Sequence, residues 1–212
     1  MDKNKKLFYK NQAETIIKKL EPRKMKGYYC ENLKEAEKLV LSLVGEGEKK
    51  IAYGGSMTID NSEIKAKLEN AGHKLIKREN YKTEEEIEEL NSLTINADTF
   101  LMSTNAITLD GELINIDGRG NRVCYLIYGP KQVIIVAGMN KVVSDIPSGI
   151  ARIKNFSSPA NTVRLNCDTP CSTTGRCGNC LTNTICCEEV ITRASRVPDR
   201  IKVILVGEEL GY

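Results

Sequence analysis

Six of the eight cysteines in the chain lie in one stretch of 21 residues, CDTPCSTTGRCGNCLTNTICC, at positions 167–187. Within this cysteine-rich loop, Cys177 and Cys180 form a C-x-x-C pair, the spacing that lets two thiolates bind one metal ion. Cys171 precedes the pair and Cys186 follows it, so four thiolates can complete one coordination sphere. The spacing therefore predicts a metal site formed by these four cysteines.

Thiolate ligands without histidine or carboxylate partners select soft metals. The four cysteines are therefore predicted to hold an iron–sulfur cluster or a structural zinc ion. The single histidine, His73, lies far away in the sequence. The sequence also allows a chain without metal, in which the thiols are free or form disulfides in air. A further alternative is a redox-active pair at Cys177 and Cys180, because C-x-x-C thiols often have a lowered pKa at a helix start.

The segment YGGSMT at positions 53–58 follows an apolar strand pattern and precedes a helical pattern. Paired glycines allow a tight turn, and the backbone N–H groups at a helix start attract anions. We predict that Gly54, Gly55, Ser56 and Thr58 bind a phosphate, a carboxylate or another anion. The alternative is a tight turn that binds no ligand.

A second polar segment, STNAITLDGELINIDGRGNR at positions 103–122, lies between apolar strand patterns. Its LDGEL portion predicts a hairpin turn, and its GRGN portion predicts a second helix start that favours anions. The alternative is turn chemistry alone, since Asp-Gly and Asn readily adopt positive φ. The candidate ligand-binding residues in this segment are Thr104, Asn105, Asp110, Asn115 and Asn121.

Asn140 and Lys141 lie just past the apolar strand pattern QVIIVAG. In open parallel sheets, ligands bind outside the carboxyl ends of the strands. Asn140 and Lys141 are therefore candidate ligand-binding residues, and Lys141 can supply a positive charge to an anionic substrate. A solvated lysine fits the pattern as well.

The elements that would position these residues alternate between helix and strand. Amphipathic helical patterns such as LKEAEKLVLSLV alternate with short apolar strands such as VIIVAG and VILV. Strands of that kind are buried on both faces, which favours a mostly parallel sheet covered by helices on both sides. We predict a single α/β domain over residues 1–212 that includes the cysteine-rich loop. The pattern SDIPSGIARIKNF predicts a helix that ends near Pro159.

Composition and charge exclude several classes of protein. The 31 basic and 28 acidic residues are scattered together and give a net charge of +3, and only 5% of the residues are aromatic. This balance argues against a nucleic-acid-binding surface. The first residues lack the apolar core of a secretory signal, and no segment reaches membrane-spanning length. We therefore predict a cytoplasmic protein, in a compartment where thiols stay reduced.

The order and spacing of five motifs resemble those of the lactate-utilization (LUD) domain proteins. The motifs are GGSMT, STNAITLDGELINIDGRGNRV, YGPKQVIIVAGMNKVV, PCSTTGRCGNCLTNTICC and RIKVILVGEELGY, and the resemblance runs from about residue 10 to residue 212. It implies a three-layer Rossmann-like fold related to ribose-phosphate isomerase, glucosamine-phosphate deaminase and CoA transferase. Such a fold would place the ligand pocket at the strand ends.

The resemblance also implies a role in lactate utilization. One relative is a small subunit that acts with iron–sulfur partners to oxidise L-lactate to pyruvate. The implied partners are therefore a small anionic metabolite and iron–sulfur or oxidoreductase proteins, with a homodimer as a further alternative. The competing hypothesis is a stand-alone enzyme or sensor that binds a sugar phosphate, a hydroxy acid or a CoA ester and whose cysteines are structural.

Catalytic residues stay unassigned at this level. Sugar-phosphate isomerases of the related superfamily carry an aspartate at about the position of Asn105, and a neutral amide cannot act as a general base near pH 7. No Ser/His/Asp or Cys/His arrangement is visible. Asp110 or Asp117 could take over proton transfer only if the fold placed it in the pocket.

Overall fold

The computed structural model describes all 212 residues of the chain. Its helices are α1 (Lys3–Leu20), α2 (Leu33–Val44), α3 (Met57–Asp60), α4 (Ile64–Asn70), α5 (Glu84–Ile95), α6 (Val123–Ile127), α7 (Ile146–Arg152), α8 (Ser158–Arg164) and α9 (Pro170–Thr174). Its strands are β1 (Lys26–Cys30), β2 (Lys50–Tyr53), β3 (Lys74–Ile76), β4 (Thr99–Met102), β5 (Ala106–Thr108), β6 (Leu113–Asp117), β7 (Gln132–Gly138), β8 (Val142–Val143), β9 (Glu188–Thr192) and β10 (Ile201–Val206). None of the helices combines the length and the hydrophobicity needed to cross a lipid bilayer.

The main sheet has six strands in the order β1-β10-β7-β4-β2-β3. All neighbouring strands in it run parallel. All six carboxyl ends therefore meet at one edge of the sheet, which is the geometry that ligand-binding α/β folds use. The predicted parallel α/β fold of the three-layer Rossmann-like type is confirmed.

The strands of the main sheet bury side chains on both faces. On β7, Val133 and Ile135 join one apolar core, which also contains residues of α1. Ile134 and Val136 point to the opposite face and join a second core with residues of α2 and α4. Because both faces are covered, a central strand such as β7 is a continuous apolar run and does not alternate with polar residues. This is why short runs such as VIIVAG predict the fold from sequence.

A second, smaller sheet lies beside the main one, in the order β8-β5-β6-β9. Strands β5 and β6 form the predicted hairpin, and Gly111 at its turn has a φ of 89°. The sequence does not predict strand β9, because EEVIT begins with two acids and faces solvent over much of its length. It forms by pairing along the whole of β6, a contact between segments more than 70 residues apart. This small sheet forms one side of the site described below.

The prediction that a helix ends near Pro159 is wrong. The helical path continues from α7 through a π-helical turn at Ile153–Ser157 into α8, which reaches Arg164. Pro159 lies in the first turn of α8, where a missing N–H and a fixed φ are tolerated. The π turn therefore lets the chain pass a proline without leaving the helical path.

Candidate functional site

A cavity of about 840 Å³ opens at the carboxyl edge of the main sheet. The loops that follow three neighbouring strands form its floor: residues 54–57 after β2, residues 103–105 after β4, and Lys141 after β7. Short connections and a shared strand direction bring these distant segments together. Residues of the 53–58 and 103–122 segments therefore line one cavity in the structure.

Seven of the eleven candidate ligand-binding residues line this cavity. They are Gly54, Gly55, Ser56, Thr104, Asn105, Asn121 and Lys141. The other four do not line it. Asn115 bonds to Arg122 behind the wall, and Thr58 and Asn140 bond to the C-terminal segment. Asp110 lies at the hairpin turn.

Arg122 joins the two sheets behind the cavity floor. Its partners are the carbonyl oxygens of Ser103 (3.3 Å) and Ile116 (3.0 Å), the side-chain oxygens of Asn115 (2.6 Å) and Asn105 (2.9 Å), and the Asp117 carboxylate (3.5 Å). Burial lowers the pKa of the guanidinium, and Asp117 opposes this shift. Because its N–H groups are already engaged, Arg122 holds the wall in place and has no N–H group left for a ligand.

Asn105 and Asn115 hold the turn between the two sheets. The Asn105 N–H donates to Asn115 Oδ1 at 3.3 Å, and Asn105 Oδ1 accepts from the Ile116 N–H at 3.1 Å. Asn115 is fully buried. These amides therefore have a structural task, and only Asn105 also reaches the cavity.

Lys141 is 4% exposed, yet its side chain lines the cavity. Its Nζ lies 2.9 Å from Ser103 Oγ and 3.2 Å from Thr58 Oγ1, and it forms no ion pair. Burial, together with the nearby positive charges of Arg152 and Arg122, lowers the pKa of Lys141 to about 7. A solvated lysine is therefore excluded, because this amine is buried among hydroxyl groups.

The side chains that line the cavity are strongly biased towards positive charge. Five are basic and one is acidic: Arg78, Arg119, Arg122, Arg164 and Lys141 against Asp117. A concave surface with this charge attracts small anions.

Asp117 is the one acidic side chain of the cavity, so of the two aspartates considered from sequence only Asp117 reaches it. It is 9% exposed, and its Oδ2 has no hydrogen-bond partner apart from the ion pair with Arg122. Asp110 instead lies in the exposed hairpin turn and pairs with Lys19 at 3.3 Å.

The glycines at 54 and 55 make room for arginine side chains. A Cβ on Gly54 would lie 2.9 Å from Arg122 Cγ, and a Cβ on Gly55 would lie 2.9 Å from Arg78 Nη1. Helix α3, which follows them, has four residues, and Ser56 caps it by accepting the Ile59 N–H at 3.4 Å. Both glycines therefore lie against arginine side chains, and the helix start expected from sequence is a helix of one turn.

Thr58 and Asn140 fasten the C-terminal segment to the edge of the sheet. The Thr58 hydroxyl donates to the Leu210 carbonyl at 3.3 Å, and Asn140 Oδ1 accepts from the Leu210 N–H at 3.0 Å. Asn140 Nδ2 also donates to the Gly211 carbonyl at 3.3 Å. These contacts bring Tyr212 to the cavity, where it forms part of the wall.

Sequence reasoning missed Arg78 and Arg164 as cavity residues. Arg78 follows β3, so its place just past a parallel strand was an available signal. Arg164 lies on α8, beyond the proline where the helix was expected to end. No local pattern marks it, since only the fold brings α8 to the cavity.

Three thiols of the cysteine-rich loop act electrostatically on a fourth, and we call Cys171, Cys177, Cys180 and Cys186 the thiol cluster. The pKa of Cys186 is raised mainly by burial and further by the charges of Cys171, Cys177 and Cys180, while a hydrogen bond to Ser158 opposes the shift. These are the four cysteines predicted to bind metal. In the structure no group of three or more His, Cys, Asp or Glu side chains is drawn together into a coordination sphere. The thiolate set suits a soft metal by its chemistry, and it would have to contract to hold one.

The thiol cluster and the cavity share a wall. Cys186 Sγ donates to Ser158 Oγ at 3.3 Å, and Ser158 lines the cavity together with Ile185 from the cysteine-rich loop. A Cβ on Gly118 would lie 3.2 Å from the Ile185 carbonyl oxygen, so only glycine fits well at this contact. A change in the loop therefore acts directly on the cavity wall.

Comparison with known proteins agrees with this architecture. A DUF162 family protein from Deinococcus radiodurans has a similar structure, with a TM-score of 0.51 and 16% sequence identity over 95% of this chain and 98% of that chain. At such low identity the likeness shows the fold alone. No curated protein matches the chain. The family model described as LUD domain matches residues 13–206.

Proposed function

Because this chain belongs to the LUD domain family, we propose that it takes part in lactate utilization as a subunit of an iron–sulfur-dependent complex that oxidises L-lactate to pyruvate. In this proposal the cavity binds the small carboxylate and partner oxidoreductase proteins take up the electrons. The observation that carries the proposal is the charge of the cavity, where five basic side chains face one acidic side chain.

Two of the cavity arginines are available to a ligand. The side chains of Arg78 and Arg119 are exposed and form neither hydrogen bonds nor ion pairs within the protein. A guanidinium presents paired N–H donors that match a carboxylate or a phosphate. The buried network around Arg122 keeps the wall behind them in place. We therefore assign ligand capture to Arg78 and Arg119 and wall geometry to Arg122.

The thiol cluster is the proposed metal site, with Cys171, Cys177, Cys180 and Cys186 as ligands. An iron–sulfur cluster there would accept and pass on electrons one at a time, whereas zinc would only hold the loop in shape. Support comes from the all-thiol donor set and from the effect of Cys171, Cys177 and Cys180 on the pKa of Cys186. The shared wall at Ser158 would set any such centre close to the bound carboxylate.

The size of the cavity favours a second candidate function. Its volume of about 840 Å³ is in the range that suits ligands of drug size. A three-carbon acid would fill a small part of this space, whereas a sugar phosphate or part of a CoA ester would fill more. The second candidate is therefore a stand-alone enzyme or sensor for such an anion, with structural cysteines.

Titration calorimetry on the full chain separates the two candidates. The ligands are L-lactate, pyruvate, ribose 5-phosphate and acetyl-CoA at one fixed ionic strength. The test variant is Arg78→Gln with Arg119→Gln, and the control is Arg193→Gln with Arg196→Gln, which removes two exposed charges outside the cavity. We expect the test variant to bind about tenfold more weakly and the control to bind as the parent does. Binding of the phosphate or the CoA ester alone would favour the second candidate, and silence with all four ligands would contradict both.

Metal analysis of anaerobically purified protein tests the thiol cluster. Iron with acid-labile sulfide and absorbance in the visible region supports the proposed complex subunit. Zinc supports a structural site. A preparation that stays free of both metals after reconstitution would contradict the metal proposal and leave the carboxylate site to be judged by calorimetry.

A further inference from the structure

We propose that Lys141 is a nucleophile whose side-chain amine forms an imine with a small anionic carbonyl compound, such as a 2-oxo carboxylate, bound in the cavity. The inference takes the class of ligand, a small carboxylate, from the proposed function. It adds a covalent step at the Nζ atom of Lys141. It is carried by the hydrogen bonds of Lys141, by its neighbours and by its place in the cavity.

The hydrogen bonds of Lys141 leave its lone pair free. Nζ lies within hydrogen-bond distance of Thr58 Oγ1 (3.2 Å) and Ser103 Oγ (2.9 Å). The Thr58 hydroxyl donates to the Leu210 carbonyl and the Ser103 hydroxyl donates to the Thr104 carbonyl, so both hydroxyl oxygens accept from the lysine. A neutral amine has two N–H groups and one lone pair. Both N–H groups are therefore used, and the lone pair has no partner in the protein.

The charges around Lys141 favour the neutral amine. No carboxylate pairs with it, and the charged groups that act on it most are Arg152 and Arg122. With burial, these lower its pKa to about 7, so a large share of the side chain is an uncharged amine at neutral pH. An ordinary lysine with a pKa of about 10.4 is almost wholly protonated there and is a poor nucleophile.

The position of Lys141 suits attack on a bound anion. It lies in the 3-10 turn Met139–Lys141 that follows β7, at the carboxyl edge of the sheet. It lines the same cavity as Arg78 and Arg119, whose guanidinium groups are free. A 2-oxo carboxylate carries its carbonyl carbon next to its carboxylate, so a ligand held in this cavity by a guanidinium brings an electrophilic carbon into the space that the amine also lines.

The step is an ordinary condensation. The Nζ lone pair forms a bond to the carbonyl carbon, the carbonyl oxygen takes a proton, and a carbinolamine results. Loss of the hydroxyl group with a proton releases one water and leaves a C=N bond. No oxidant or reductant takes part, and hydrolysis returns the amine and the carbonyl compound. L-lactate has no carbonyl group and cannot react in this way.

Reductive trapping tests the proposal. The full chain is incubated with pyruvate and sodium cyanoborohydride, which converts an imine into a stable secondary amine, and the modified residue is located by peptide mass spectrometry. We expect the adduct at Lys141 to exceed that at exposed lysines by on the order of tenfold or more, because its amine is far less protonated. An adduct spread over exposed lysines, with none at Lys141, would overturn the proposal. The positions of the modified lysines in the parent chain decide between these outcomes without any variant.

Two variants sharpen the result. Lys141→Arg keeps the positive charge and cannot form an imine, so its adduct is lost. The control Lys131→Met changes an exposed lysine outside the cavity and keeps the adduct at Lys141. If pyruvate binds in the calorimeter and no adduct forms at Lys141, the nucleophile is disproved and the carboxylate site stands. If no carboxylate binds, the proposed function fails first.

Discussion

The wall of the cavity and the cysteine-rich loop are neighbours, but different forces hold them. In the wall, Arg122 alone ties together groups from β6 and from the loop that follows β4. In the loop, over residues 167–187, only Thr169 and Cys171 are buried, and α9 is the one helix. Leu181 in the loop is 92% exposed.

This difference shows that the cavity wall is ordered before any ligand binds, whereas the cysteine-rich loop has few buried contacts. Buried hydrogen bonds and apolar cores can hold the cavity without a ligand, because the Arg122 guanidinium already has fixed partners on both sides of the wall. The loop lacks an apolar core of its own, and in our proposal a metal held by its thiols adds the order that packing does not supply. We therefore expect mutations in the wall to act on stability and mutations in the loop to act on metal content.

Loss of the wall's central arginine should have the largest effect on stability. Arg122→Met leaves Asp117 without its ion-pair partner and deprives two carbonyl oxygens of a donor. Breaking a buried charged network of this kind costs about 3–5 kcal/mol. Urea unfolding at pH 7 measures the loss. The exposed control Arg196→Met should change it by less than about 0.5 kcal/mol, and an equal loss in both variants would contradict the network's importance.

Removal of the buried lysine should stabilise the protein at neutral pH. The pKa of Lys141 is about 7 in the folded chain and about 10.4 when unfolded, so between these values the unfolded state binds more protons and stability rises with pH. Lys141→Met removes this penalty but leaves two hydroxyl groups without a donor. We expect a net gain of about 1–3 kcal/mol at pH 7.

The pH dependence of that gain is its check. Urea unfolding of parent and variant at pH 7 and pH 9 should show the advantage of Lys141→Met shrinking by about 2–3 kcal/mol, because the parent regains stability as the pH rises. An advantage that is the same at both pH values would show that the folded state keeps Lys141 protonated.

A methyl group on the first glycine of the cavity loop should have a smaller effect than the loss of Arg122. In Gly54→Ala the new Cβ would lie 2.9 Å from Arg122 Cγ and 3.3 Å from Phe100 Cζ. Overpacking of this size costs about 1–3 kcal/mol. The same variant should bind carboxylates more weakly, because Arg122 has to move. Unchanged stability together with unchanged binding would show that Gly54 is not needed for the geometry of the wall.

The smallest effect on folding is expected in the loop. Cys177→Ser combined with Cys180→Ser changes two half-buried thiols and should alter the stability of the metal-free chain by less than about 0.5 kcal/mol. The same change should abolish metal binding after anaerobic reconstitution. Cys124→Ser, which alters an exposed thiol outside the loop, is the control and should keep the metal. A large loss of stability without metal would show that packing holds the loop after all.

The sequence by itself determined the main sheet and most of the cavity floor. Apolar runs such as VIIVAG identify strands buried on both faces, and such strands are parallel and end at one edge. The loop after β2 and the residues Thr104, Asn105 and Lys141 follow directly from that rule. The choice of Cys171, Cys177, Cys180 and Cys186 as metal ligands stays a prediction.

Tertiary structure alone decided which polar residues serve the ligand and which serve the wall. Asn105 and Asn115 look alike in sequence, but Asn115 is fully buried against Arg122. Strand β9 and Arg164 carry no local signal, because their roles depend on partners remote in the chain. The lone pair of Lys141 is likewise left free because its N–H groups meet hydroxyl groups on α3 and on the loop after β4. Periodicity and turn chemistry act between near neighbours and so appear in sequence, whereas desolvation and hydrogen-bond partners are set by residues that only folding brings together.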